Sequence, residues 1–93
     1  MSLEEQFFNL RKDVKEKTLK IIELANERNK IVLKIAKLKK DLNIPVKNKL
    51  VEEELRKAVL ELCRKKDGDQ EFSIKLLEIL IDESIKLQEK KLI

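Results

Sequence analysis

The stretch LANERNKIVLKIAKLKKDLNIPV, Leu24 to Val46, decides how this chain folds. Leu24, Ile31, Ile35, Leu38 and Leu42 fall at helical spacing, and Asn43-Ile44-Pro45 closes the pattern, since proline lacks a backbone N–H and pushes its predecessor out of the helical region. Two cations break into the stripe. Arg28 takes a position where the spacing calls for an apolar residue, and Lys39 stands at the stripe's edge near its end. A long amphipathic helix keeps its charges on the solvated side, so these two require either a structural role or a ligand.

Toward the N-terminus the same pattern continues through Ile21, Val14, Leu10, Phe7 and Leu3, with a further gap at Lys17. Ser2 followed by Glu5 forms a capping box that opens the helix. The spacing therefore predicts one helix over about residues 3–42. Such a helix is about 60 Å long, whereas a compact domain of this chain length is only about 30 to 35 Å across. It must find a partner beyond its own chain.

Toward the C-terminus, Asn48 is a natural N-cap for a second helix over about 49–65. Glu52, Glu53 and Glu54 complement its dipole, and Leu55, Val59 and Leu62 form its stripe. Asp67-Gly68-Asp69 supplies a C-terminal glycine and a new N-cap. Phe72, Leu76, Leu77, Leu80, Ile81 and Leu87 then mark a third helix over about 70–91. The expected architecture is a single all-α domain, residues 1–93, of one very long helix and two shorter ones.

Composition agrees. Charged residues make up 43 % and hydrophobic ones 42 % of the 93 residues, with one glycine, one proline and three aromatics, which suits long helices and not sheets. The net charge of +4 is mild and its signs are interspersed, so a small anion fits as well as nucleic acid. A single cysteine excludes an intramolecular disulfide, and the absence of histidine excludes a zinc finger or a histidine-dependent triad. No metal ligand set and no cofactor motif is expected. The chain shows neither a membrane span nor the basic-then-apolar pattern of a signal peptide, and cytoplasmic residence is the expectation. Its Lys, Glu and Ile content shares the bias of hyperthermophile proteins.

Arg28 and Lys39 are eleven residues apart, close to three turns, so they project from one face about 16 Å apart along the axis. Two readings are open: a register device in a coiled coil, or a ligand clamp. Ser84 and Gln88, one turn apart in line with Leu77 and Ile81, also interrupt an apolar stripe, as helix–helix hydrogen bonders or as site residues. Glu52 lies in line with Leu55 and Val59, and Arg11 lies at the edge of the first stripe. Together these residues offer cations, one amide, one hydroxyl and one carboxylate, with no nucleophile. Such a set suits a dianion that carries a hydroxyl, and a reaction that needs only charge stabilisation and shape.

In Leu10-Arg11-Lys12, Glu27-Arg28-Asn29, Ile35-Ala36-Lys37-Leu38-Lys39, Ile44-Pro45-Val46, Glu52 and Ile81-Asp82-Glu83-Ser84 with Gln88, the chain resembles the all-helical class of chorismate mutases over nearly its whole length. The resemblance implies an intertwined homodimer whose sites each lie among one chain's helices and are completed by the partner's Arg11. It implies that Arg28 and that arginine hold the two carboxylates of chorismate. Lys39 and Gln88 would donate to the ether oxygen, Glu52 would accept from the ring hydroxyl, and Ser84 would line the carboxylate pocket, partly through water. The implied reaction is the Claisen rearrangement of chorismate to prephenate. Arg11 and Arg28 are about 25 Å apart along one straight helix, too far to grip one small molecule from the same chain, and an antiparallel partner removes that conflict.

The chain departs from the family pattern where Asn48 replaces a common aspartate and Val51 a common arginine. Asn48 can still cap its helix and offer its backbone N–H to substrate, while Val51 removes one helper cation. Three rivals stand beside this reading. An isochorismate-pyruvate lyase has a similar cationic pocket and is separated by substrate assay. A non-catalytic helical interaction module would show an exposed apolar face in place of an enclosed cationic cavity. Nucleic-acid binding through the lysine-rich 34–49 segment would fall steeply with salt, and it lacks interleaved aromatics.

Overall fold

The structure, a computed structural model, describes the backbone from Met1 to Leu92 and side chains as far as Lys90. It contains three helices: α1 over Leu3–Leu42, α2 over Lys49–Lys66 and α3 over Gln70–Leu92. There is no strand among the described residues. The helix ends match the sequence expectation to within one residue.

Local chemistry accounts for those ends. Ser2 Oγ accepts from the Glu5 amide at 3.1 Å, which satisfies one of the unpaired donors of the first turn. At the other end of α1, Asn43 adopts a left-handed conformation at φ 55°. Its amide reaches the Lys40 carbonyl at 3.3 Å and the Ile44 amide reaches the Lys39 carbonyl at 2.8 Å, the paired bonds of a Schellman cap. Asn48 caps α2 as expected, its Oδ1 accepting from the Leu50 and Val51 amides at 3.1 and 3.2 Å.

The end of α2 corrects the expectation for glycine. Asp67, not Gly68, takes the left-handed conformation, at φ 53° and ψ 44°, and the Gly68 amide closes the turn on the Cys63 carbonyl at 2.9 Å. A short polar side chain can enter this region where most residues are excluded, which is why an aspartate suffices. Asp69 then starts α3, with its Oδ1 accepting from the Phe72 amide at 2.9 Å.

The chain divides into two compact units, Met1–Lys30 and the remainder from Ile31 onward. The first is a run of helix on which Phe7, Leu10, Val14, Ile21 and Leu24 are all exposed. In the second, α2 packs against α3. Its buried positions are Val32 and Ala36 of α1, Cys63 of α2, and Leu77, Ile81, Ser84 and Gln88 of α3.

Three of these positions, Val32, Ala36 and Cys63, revise the sequence expectation. On α1 the buried face is rotated by one residue from the predicted stripe: Ala36 is 2 % exposed, whereas Ile31 and Leu38 remain 58 % and 59 % exposed. Small side chains let backbones approach closely, so Val32 and Ala36 suit a tight packing face while the bulkier stripe stays available. On α2, Cys63 is buried and Leu62 is exposed. The described ion pairs, such as Lys20–Glu23, Arg56–Glu53, Arg64–Glu61 and Lys75–Glu71, join residues three or four apart on single helices and contribute little to the fold.

Candidate active site

Within the unit from Ile31 onward, Lys39 sits in the last turn of α1 and is half-buried. Its ammonium donates to the Val46 carbonyl at 2.8 Å, across the turn that leads to α2. The Schellman bond from Ile44 ends on the same residue's carbonyl, so Lys39 is fixed by both backbone and side chain. An ammonium has three protons, and this contact uses one.

On α3, Ser84 and Gln88 are both buried and directly bonded, with Gln88 Nε2 donating to the Ser84 carbonyl at 3.1 Å. The sequence placed them one turn apart on an apolar stripe, and they lie in line with the buried Leu77 and Ile81. Gln88 is 6 % exposed, and its Oε1 meets no donor among the described residues. Leaving such an acceptor unpaired costs about 1 to 3 kcal/mol, a cost that native structures accept at few places. The Ser84 hydroxyl donates to the Leu80 carbonyl at 2.8 Å. In that arrangement the hydroxyl oxygen keeps lone pairs with which to accept from a further donor.

Glu52 is half-buried in the first turn of α2. It lines a cavity of about 480 Å³ together with Lys47, Lys49, Arg56 and Asp82. Asn48 spends its side-chain oxygen on the helix cap, which confirms it as a capping residue and leaves its side-chain amide protons exposed.

The two arginines belong to the other unit, Met1–Lys30. Arg28 is half-buried. Arg11 is exposed, and its guanidinium lies over the Phe7 ring with Cζ 4.8 Å from the centroid. Sequence reasoning used Phe7 only as an apolar stripe position and missed this contact, although the four-residue spacing of Phe7 and Arg11 is the signal that predicts it. It also missed the Val46 carbonyl as the partner of Lys39. Among the described residues no group of three or more acidic, histidine or cysteine side chains could hold a metal ion, and no helix is long and apolar enough to cross a membrane.

The chemistry on hand is thus a fixed ammonium and a buried neutral amide on one unit, and two guanidinium groups on the other, with no nucleophile placed beside a base among the described residues. Residues 10–89 match the family model described as chorismate mutase type II. The chain belongs to the chorismate mutase type II family. It is 31 % identical over 88 residues to a protein of Methanocaldococcus jannaschii named chorismate mutase, an alignment that covers 95 % of this chain and 89 % of that relative. No solved structure matches the chain. Membership assigns this chain the activity class of a chorismate mutase, an isomerase, and all seven residues singled out in the sequence lie inside the matched span.

Proposed function

We propose that this chorismate mutase converts chorismate to prephenate by conformer selection and electrostatic stabilisation, with no covalent intermediate and no cofactor. The rearrangement is intramolecular: one carbon–oxygen bond breaks while one carbon–carbon bond forms, and no proton enters or leaves. The protein must fold the substrate so that the reacting carbons meet, and must stabilise the negative charge that grows on the ether oxygen.

In this reading Arg28 of one chain and the partner's Arg11 hold the two carboxylates. Lys39 and Gln88 donate to the ether oxygen, Glu52 accepts from the ring hydroxyl, and Ser84 lines the carboxylate pocket, partly through water. Asn48 contributes through its cap and its backbone N–H. The observation that carries the reading is the Gln88 amide, which is buried and donates one Nε2 proton to the Ser84 carbonyl, so that its second Nε2 proton is left to donate to a substrate oxygen.

We infer that the working unit is a homodimer in the cytoplasm. Support for the dimer comes from the exposed stripe of Phe7, Leu10, Val14, Ile21, Leu24, Ile31 and Leu38 along α1, an apolar row of the kind that marks an interaction surface. Support for the compartment is the single cysteine, Cys63, buried and unpaired. The product places the reaction in the shikimate route to phenylalanine and tyrosine.

The test is incubation of the pure protein with chorismate, followed by NMR. Prephenate should accumulate at the rate chorismate disappears. Release of pyruvate from isochorismate, with no turnover of chorismate, would instead assign the chain to the lyase branch.

A further inference from the structure

Arg11 has an unusual neighbourhood for an exposed arginine in a chain rich in acids. Its helical neighbours three and four residues away are Phe7, Phe8, Val14 and Lys15, so α1 supplies it with no carboxylate. No ion pair to Arg11 is present among the described residues, and the Phe7 ring is its partner instead. Phe7 is in turn met by Phe8 in a T-shaped contact, with centroids 6.2 Å apart and planes at 68°. Phe7, Leu10, Arg11, Val14 and Lys15 line an open groove of about 520 Å³ on this side of the helix.

We propose that Phe7 is a positioning residue for Arg11, restricting the guanidinium by stacking on its face while leaving its in-plane N–H donors open for a substrate carboxylate. This rests on the reading of Arg11 as a carboxylate clamp. The chemical distinction is between the face and the edge of the guanidinium. All five N–H donors lie in the plane, so an acid at position 7 would occupy the fork that a substrate carboxylate needs. An aromatic ring attracts the cation through its quadrupole from above that plane and uses none of these donors. Phe7 therefore limits the rotamers of a long flexible side chain without neutralising its charge, and the ordering cost on binding falls.

Because Arg11 grips a group that does not react, this effect belongs to binding and should appear in KM. Replacing Phe7 by Leu or Met keeps an apolar side chain and removes the ring face, and F7Y keeps the face. In steady-state assays with chorismate, at protein concentrations where sedimentation shows the same oligomer as wild type, F7L and F7M should raise KM about two- to five-fold with kcat nearly unchanged. F7Y should restore the wild-type KM. A merely structural role would instead lower kcat with the active fraction and leave KM in place. The inference is overturned if F7L and F7M keep the wild-type KM, or if F7Y shares their defect. Arg11→Ala separates the two levels: an inactive R11A beside unaffected F7L and F7M overturns the role of Phe7 alone, whereas an R11A as active as wild type overturns the reading of Arg11 and the role of Phe7 with it.

Discussion

The Lys39 ammonium donates to the Val46 carbonyl at 2.8 Å, and the Lys39 carbonyl accepts from the Ile44 amide at 2.8 Å. One residue thus braces the α1–α2 turn with its side chain and its backbone, and the brace holds a cation at a defined point before any substrate arrives. Preorganised charge of this kind requires no reorganisation during the reaction, which is the main source of electrostatic catalysis.

If Lys39 donates to the developing charge as proposed, Lys39→Ala should lower kcat/KM about 100- to 1000-fold. Loss of the Val46 contact should also cost about 1 kcal/mol of stability, while far-UV circular dichroism stays helical. Wild-type activity in this variant would make Lys39 a brace only.

Gln88 is neutral at every accessible pH, so the wild-type amide contributes no titration of its own. A Gln88→Glu variant donates only when protonated, so its activity should rise as pH falls, against a wild-type profile that lacks this transition. Burial disfavours the charged form and raises the folded-state pKa of the new carboxyl above its unfolded value of about 4.3. The variant's stability penalty is accordingly absent below the unfolded pKa and grows as pH rises from there through the folded pKa. Paired pH–rate and pH–melting curves check both signs, and a flat rate profile for the variant would remove Gln88 from the site.

The two residues at the end of α2 make different predictions. Asp67 holds a left-handed conformation that glycine adopts without steric cost, so Asp67→Gly should stabilise the protein by about 0.5 to 1 kcal/mol. Gly68 has no positive φ, and a Cβ there would meet Cys63 at 3.5 Å, an ordinary contact. Gly68→Ala should therefore shift the melting temperature little, and a large loss would contradict the assignment of the left-handed position to Asp67.

The helices and their ends were legible because the signals are local: Ser2, Asn48 and Asp69 each cap through a side chain within three residues. Which face of α1 packs inside the chain was not legible. The bulky stripe through Ile31, Ile35 and Leu38 dominates the periodicity, yet the buried pair is Val32 and Ala36, one position along from Ile31 and Ile35. A sequence pattern records every apolar face of a helix, whether it packs inside the chain or stays exposed. Ser84 and Gln88 were legible for the converse reason, because polar residues on an otherwise apolar stripe stand out. The Val46 carbonyl was invisible, since any residue at that position offers the same backbone oxygen.

A shared-site dimer gives the most specific prediction. Arg11 and Arg28 are seventeen residues apart on α1, about 25 Å by helical rise, which one substrate the size of chorismate does not span. If each site takes Arg28 from one chain and Arg11 from the other, then Arg11→Ala and Arg28→Ala are each inactive as pure homodimers. In a hybrid of the two, one site combines the intact Arg28 of one chain with the intact Arg11 of its partner, and the second site lacks both. Unfolding and refolding an equal mixture makes roughly half of the dimers hybrid by random pairing, each with one good site of two, so about a quarter of wild-type activity should return. Native mass spectrometry measures the hybrid fraction independently of activity. Hybrids without recovered activity, or a single variant that is already active, would show that Arg11 does not complete its neighbour's site.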